Sequence, residues 1–133
     1  MSRRTIFTEQ APRAIGPYSQ GVQVGNLVFT AGQTGVDPAT GQLVAGGIVE
    51  QTRQALRNVQ AILEAAGCSL ADVAKTTVFL TDMNDFQAMN GVYAEFFPVA
   101  PPARSTVQVG ALPLGARIEI EAVAFKPIED KQG

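Results

Sequence analysis

The segment Arg117–Phe125 constrains the fold more than any other. It reads Arg-Ile-Glu-Ile-Glu-Ala-Val-Ala-Phe. In an extended chain, successive side chains point to opposite faces. Ile118, Ile120, Ala122 and Ala124 therefore share one apolar face. Arg117, Glu119, Glu121, Val123 and Phe125 share the other, charged at its start and apolar at its end. A strand of this kind needs a covering layer on its first face.

Two helical segments can supply that layer. Over Ile48–Ala66, the residues Ile48, Thr52, Ala55, Leu56, Val59, Ile62, Leu63 and Ala66 recur at helical spacing on one side. Glu50, Gln51, Arg53, Gln54, Arg57, Gln60 and Glu64 fall largely on the other, and Gly67 can provide a left-handed C-terminal cap. A second helix is predicted from Asn84-Asp85-Phe86-Gln87, which matches a capping box. It runs to about Phe97, with Phe86, Met89, Tyr93, Phe96 and Phe97 on one stripe. Pro98, Pro101 and Pro102 end it.

The remaining β signals complete a sheet. Gly21–Val24 and Leu27–Thr30 flank Gly25-Asn26 as a hairpin. Lys75–Leu80 and Ser105–Val109 read as further strands, and residues 32–41 as a loop. The prediction is one α+β domain over residues 1–133, with two helices on one face of a five- or six-stranded sheet. The polar tail Glu129–Gly133 is expected to fray. No segment is left to cover the second sheet face, which carries Val123 and Phe125. A homo-oligomer is expected, with Glu119 at or near a subunit boundary.

Composition narrows the chemistry. The chain has no histidine, one cysteine and no tryptophan. Without histidine there is no Ser-His or Cys-His pair and no His-ligated metal. One cysteine forms no internal disulfide and no CxxC motif, so Cys68 reads as a small apolar filler. Ten basic and twelve acidic residues give a net charge of −2 with no basic patch, which argues against nucleic acid as a partner. No signal peptide and no run near the roughly 20 apolar residues of a membrane span is seen. A cytoplasmic protein without metal or cofactor is the expectation.

Among the remaining groups, Arg104 follows the stiff Pro101-Pro102-Ala103 and could grip a carboxylate with its planar fork, or simply be a solvated strand-end arginine. Glu119 shares a face with Glu121, an arrangement in which each raises the other's pKa; the alternative is an ion pair with Arg117 or a subunit neighbour. Tyr18, after Gly16-Pro17, could be a pocket wall or a surface-packed ring. Gly32-Gln33-Thr34-Gly35 matches no phosphate-binding loop; its glycines fit a turn or a close backbone approach to a ligand.

Several segments in order resemble one family. Ala14-Ile15-Gly16-Pro17-Tyr18-Ser19-Gln20-Gly21 is similar to the N-terminal signature of the RidA (YjgF) family, also known as endoribonuclease L-PSP. Phe29-Thr30-Ala31-Gly32-Gln33, Gln54–Val59 and Lys75–Leu80 continue the resemblance, as do Asp82–Phe86, Pro102-Ala103-Arg104-Ser105 and Ile118–Ala122. It spans about residues 5–126.

The resemblance implies a chorismate-mutase-like fold, a homotrimer with a central barrel of sheets, and ligand clefts between neighbouring subunits. It implies hydrolysis of 2-imino acids, or their enamine tautomers, to 2-keto acids and ammonia. Such intermediates are released by pyridoxal-phosphate enzymes. By the same resemblance Arg104 holds the substrate carboxylate and Glu119 positions or activates water. Tyr18 lines the cleft, Gly32 approaches the ligand through its backbone, and Asn90 is a polar cleft residue. Thr106 stands where the family often has cysteine, a position whose backbone carbonyl can serve. Ala31 stands where it often has serine. A non-catalytic carboxylate-binding or chaperone-like member, and a ribonuclease or translation inhibitor, are the alternatives.

Overall fold

The computed structural model describes residues 2–127, so the polar tail expected to fray lies outside the described residues. In chain order the strands and helices are β1 (Arg3–Ile6), β2 (Gly21–Val24), β3 (Leu27–Thr30), β4 (Val36–Asp37), β5 (Gln42–Leu43), α1 (Ile48–Ala65), β6 (Val73–Leu80), α2 (Phe86–Phe96), β7 (Ala103–Gln108) and β8 (Ile118–Phe125). Six strands form one mixed sheet in the order β1-β2-β3-β8-β6-β7. Only β6 and β7 pair in parallel; the other pairs in this sheet are antiparallel.

The expected period-two pattern holds along β8. Ile118, Ile120, Ala122 and Ala124 are buried against the helices. All eight residues assigned to the apolar side of α1 are buried too, from Ile48 to Ala66. Burying a leucine-sized side chain stabilises by about 1.5–3 kcal/mol, so Leu56, Ile62, Leu63, Leu80, Met89 and Ile118 form the energetic centre of the core. Gly67 ends α1 as expected, with φ +87. Its N–H donates to the Glu64 carbonyl and that of Cys68 to the Leu63 carbonyl, the two bonds of a Schellman cap.

Four readings of the sequence need correction. Strand β1 was not anticipated, because only Ile6 of its four residues is buried. An edge strand tolerates such a charged sequence. The segment read as a loop contains the ribbon β4–β5, whose two-residue ladders carry too little pattern to read. Gln51 is buried rather than on the polar side of α1, because its Oε1 accepts the Arg117 N–H at 2.9 Å. The capping acceptor before α2 is Asp82, which takes the Asn84 N–H at 2.8 Å. Asp85 makes no capping bond; its buried carboxylate lies 3.2 Å from Arg117 Nε. The Asp85 carboxylate is engaged by the Arg117 guanidinium instead of a helical amide.

The second sheet face is open. Leu27, Phe29, Val107 and Phe125 are each 40–45% exposed on it. Their common side follows from the register: Leu27 pairs with Phe125, Phe29 with Val123, and Phe79 with both Val107 and Glu119.

Candidate active site

Two groups of residues emerge, one on each side of the sheet. The first surrounds Glu119. A backbone bridge ties the chain between β3 and β4 to β8: Gln33 N–H donates to the Ile120 carbonyl at 2.8 Å, and Ile120 N–H returns to Gln33 at 2.9 Å. That bridge sets Gly32 directly over Glu119. A Cβ built on Gly32 would lie 2.7 Å from Glu119 Cδ and nearer still to Oε2, so any larger residue would push the Glu119 carboxylate out of this position. Glu119 lines a cavity of about 500 Å³ with Tyr18, Ala31, Gly32 and Gln33. Burial first, and the neighbouring Glu121 second, push the Glu119 carboxyl above its ordinary value. A carboxylate so placed holds a proton more readily than one in water, which suits a general base.

Tyr18 is fixed by its own loop. Its Oη accepts the Ile15 N–H at 3.2 Å, and its N–H donates to the Gly16 carbonyl at 2.8 Å. Its ring remains half exposed at the cavity wall.

The second group surrounds Arg104. Strand β7 starts two residues earlier than the spacing predicts, because parallel pairing with β6 fixes its register. Arg104 therefore lies inside the strand, beside Thr76. Thr76 is buried and shares a 2.7 Å hydrogen bond with Tyr93 Oη of α2. Arg104 is thus on the helix side. Its guanidinium carbon stands 4.7 Å from the Tyr93 ring centroid and 5.5 Å from that of Phe86, and Nη1 is 4.0 Å from Met89 Sδ. Aromatic faces hold a guanidinium by cation–π attraction while leaving its N–H donors free. Arg104 has no carboxylate partner among the described residues. Thr106, paired with Val78, follows on the same side. Asn90 lies one helical turn from both Phe86 and Tyr93. Asn90 Oδ1 and Thr106 Oγ1 are both buried without a hydrogen-bond partner.

The seven expected site residues thus divide. Tyr18, Ala31, Gly32 and Glu119 line one cavity. Arg104 and Thr106 lie on the helix side of β7, and Asn90 is in α2, one turn from the two rings that face Arg104. Within a single chain the two sets do not meet.

The chain matches the family model described as endoribonuclease L-PSP over residues 8–126. It belongs to that family, the RidA/YjgF proteins. It is 55% identical over 124 residues to the 2-iminobutanoate/2-iminopropanoate deaminase of Mus musculus, covering 93% of this chain and 92% of that one. A RutC family protein of Pyrococcus horikoshii is 58% identical, covering 93% and 98%. The crystal structure of Escherichia coli TdcF with bound serine superposes with a TM-score of 0.89 at 49% identity, covering 93% and 99%. Two helices on a mixed sheet are therefore the architecture of a RidA protein, as the sequence predicts.

Three residues that build this RidA site were not singled out from the sequence. Buried Gln20 pins the approach to the Tyr18 loop: its Oε1 accepts the Thr8 N–H at 2.7 Å, and its Nε2 donates to the carbonyls of Thr8, Ala11 and Pro12. Buried Asn58 donates to the Thr34 and Val36 carbonyls at 3.1 and 2.8 Å, holding the loop that carries Gly32. Gln33 is the bridge to β8. An asparagine on the apolar side of α1, between Ala55 and Ile62, was the readable signal for Asn58.

Proposed function

We propose that the protein hydrolyses reactive 2-imino acids, and their enamine tautomers, to 2-keto acids and ammonia in the cytoplasm. The observation that carries the reading is Glu119, a shifted carboxyl set beneath Gly32 in a cavity. The names of relatives such as the mouse deaminase support it, and the serine bound in TdcF supports a small amino-acid-like ligand.

A protonated imine is already electrophilic at carbon. Glu119 takes a proton from water as the oxygen attacks that carbon. The resulting carbinolamine collapses: Glu119 returns its proton to the nitrogen, the C–N bond breaks as ammonia leaves, and the Glu119 carboxylate takes the hydroxyl proton as the C=O bond forms and passes it to the ammonia. Protonated imine and water thus give keto acid and ammonium, with no electron transferred. A placed acid–base group contributes typically about 10²–10⁴-fold. Arg104 grips the substrate carboxylate in two places, and Tyr18 closes the cleft wall. The Thr106 carbonyl and Asn90 orient the polar end of the substrate. Ala31 removes a hydroxyl beside Gly32 without touching the base.

Arg104 and Glu119 serve one substrate when they come from different copies of the chain. A homotrimer with its open sheet faces turned inward covers Leu27, Phe29, Val107 and Phe125 and brings each arginine set to a neighbour's glutamate set. The exposed apolar face supports this assembly.

The test generates 2-aminoacrylate in situ with a dehydratase and follows keto-acid release. The protein accelerates release; an unchanged rate rejects the deaminase reading.

A further inference from the structure

Leu114 sits at the mouth of the Glu119 cavity in a conformation that leucine rarely adopts. Its φ is 60 and its ψ 18, the left-handed region. The flanking turn holds it there: Gly115 N–H donates to the Leu112 carbonyl at 3.3 Å, Ala116 N–H to the Pro113 carbonyl at 3.1 Å, and Gly115 itself has φ +71. A branched side chain in this region is strained and persists only where the surroundings impose it, commonly at ligand sites. The strain holds an apolar group at the cavity with 61% of its surface open.

Ile15 reaches the same cavity from the other end of the chain and is 81% exposed. Its backbone is fixed through the Tyr18 hydroxyl. Val36 and Pro38 continue the apolar wall. The volume of about 500 Å³ falls in the range of about 300–1,000 Å³ that drug-sized ligands occupy. The charged groups on this wall are Glu119 and Arg13, and Arg13 is exposed, where water weakens its pull on an acidic side chain.

We infer that Leu114 and Ile15 form a side-chain pocket that selects 2-imino acids bearing a bulky apolar group, such as those derived from leucine or phenylalanine, over three- and four-carbon imino acids with short side chains. The inference rests on the deaminase reading and names the substrate class of that site. Contact with one or two methylene groups is typically worth about 10–200-fold in kcat/KM, so the apolar wall can decide preference without touching the reacting atoms.

The experiment generates imines in situ from leucine, phenylalanine, alanine and glutamate with an amino-acid oxidase and compares kcat/KM for the full-length protein with that for Leu114→Asn. Asparagine tolerates the left-handed conformation, so this variant keeps the turn. The leucine- and phenylalanine-derived imines are expected to be preferred over the alanine-derived one by tenfold or more, and the ratio to fall about tenfold in Leu114→Asn. An unchanged ratio in the variant overturns the inference, even if all rates drop together. So does a preference for the glutamate-derived imine, which would assign the rim to Arg13. If no imine is turned over, the deaminase reading fails by itself. The pocket is then judged by calorimetric binding of 4-methyl-2-oxopentanoate against pyruvate; equal affinities overturn it.

Discussion

Arg104 and Glu119 lie on opposite faces of the same sheet. Arg104 pairs with Thr76, which is buried beneath α2, whereas Glu119 pairs with Phe79 on the open side. Strand alternation makes this separation rigid: no rotamer change carries either group through the sheet.

The separation predicts complementation between inactive variants. Arg104→Ala and Glu119→Gln are each expected to lose turnover as pure proteins while keeping their oligomeric state. Co-refolded in equal amounts, they assemble mixed clefts, about a quarter of which hold one intact arginine and one intact glutamate by random assortment. Recovery of turnover is the expected result. A mixture as inactive as its parts would place both residues in one chain's site.

Glu119→Gln separates the base from the binding site. Its kcat is expected to fall by about 10²–10⁴-fold with a smaller change in binding of a keto-acid product. The same variant reports on stability. Burial and Glu121 raise the Glu119 carboxyl above 4.5 in the folded protein. As pH rises through that window the unfolded chain loses its proton first, so wild-type stability falls and stays lower above it. Glutamine removes the penalty. The variant is expected to melt above wild type at neutral pH, with the difference closing as pH drops below about 4.5. Parallel melting curves across pH would contradict the shift.

Gly32→Ala tests the close approach of backbone to base. The added carbon would meet Glu119 Cδ at 2.7 Å and must displace it. The obstructing atoms belong to a flexible side chain at a cavity, so the carboxylate swings aside at little cost in stability. Turnover is expected to fall at least tenfold, with little change in melting temperature. Wild-type kinetics would show that Glu119 needs no fixed position.

Asn58→Ala should loosen the site from a distance. The substitution strands the Thr34 and Val36 carbonyls, each costing about 1–3 kcal/mol if left unpaired. The expected loss of stability is read by denaturant unfolding at fixed protein concentration. A parallel rise in hydrogen exchange at residues 32–36 identifies the loop as the part released.

Much of the fold was legible because its elements have strong periods. Helix α1 and strand β8 each commit one face to the core, and local geometry alone assigns those faces. Strand β1 and the β4–β5 ribbon were not legible, being too short and polar to carry a period. Gln20 and Gln51 escaped for another reason: their partners are backbone groups outside their own local segment, so no local pattern announces their burial. Asn58 was signalled only by its place on the apolar side of α1, while its partners lie in a distant loop.

The site shows the same division. Sequence by itself determined which groups were present: an arginine, a glutamate, a tyrosine and a glycine in a family pattern, with no histidine to share the chemistry. Strand alternation also fixed that Glu119 stands on the face opposite Ile118 and Ile120. Only the tertiary structure decided that Arg104 belongs to the other side. That outcome depends on the parallel register of β7 against β6, which long-range hydrogen bonds set and no local pattern encodes. Tertiary structure likewise decided that Leu114 is held left-handed at a cavity mouth, because a turn closed by backbone hydrogen bonds imposes a conformation that leucine's own preferences oppose.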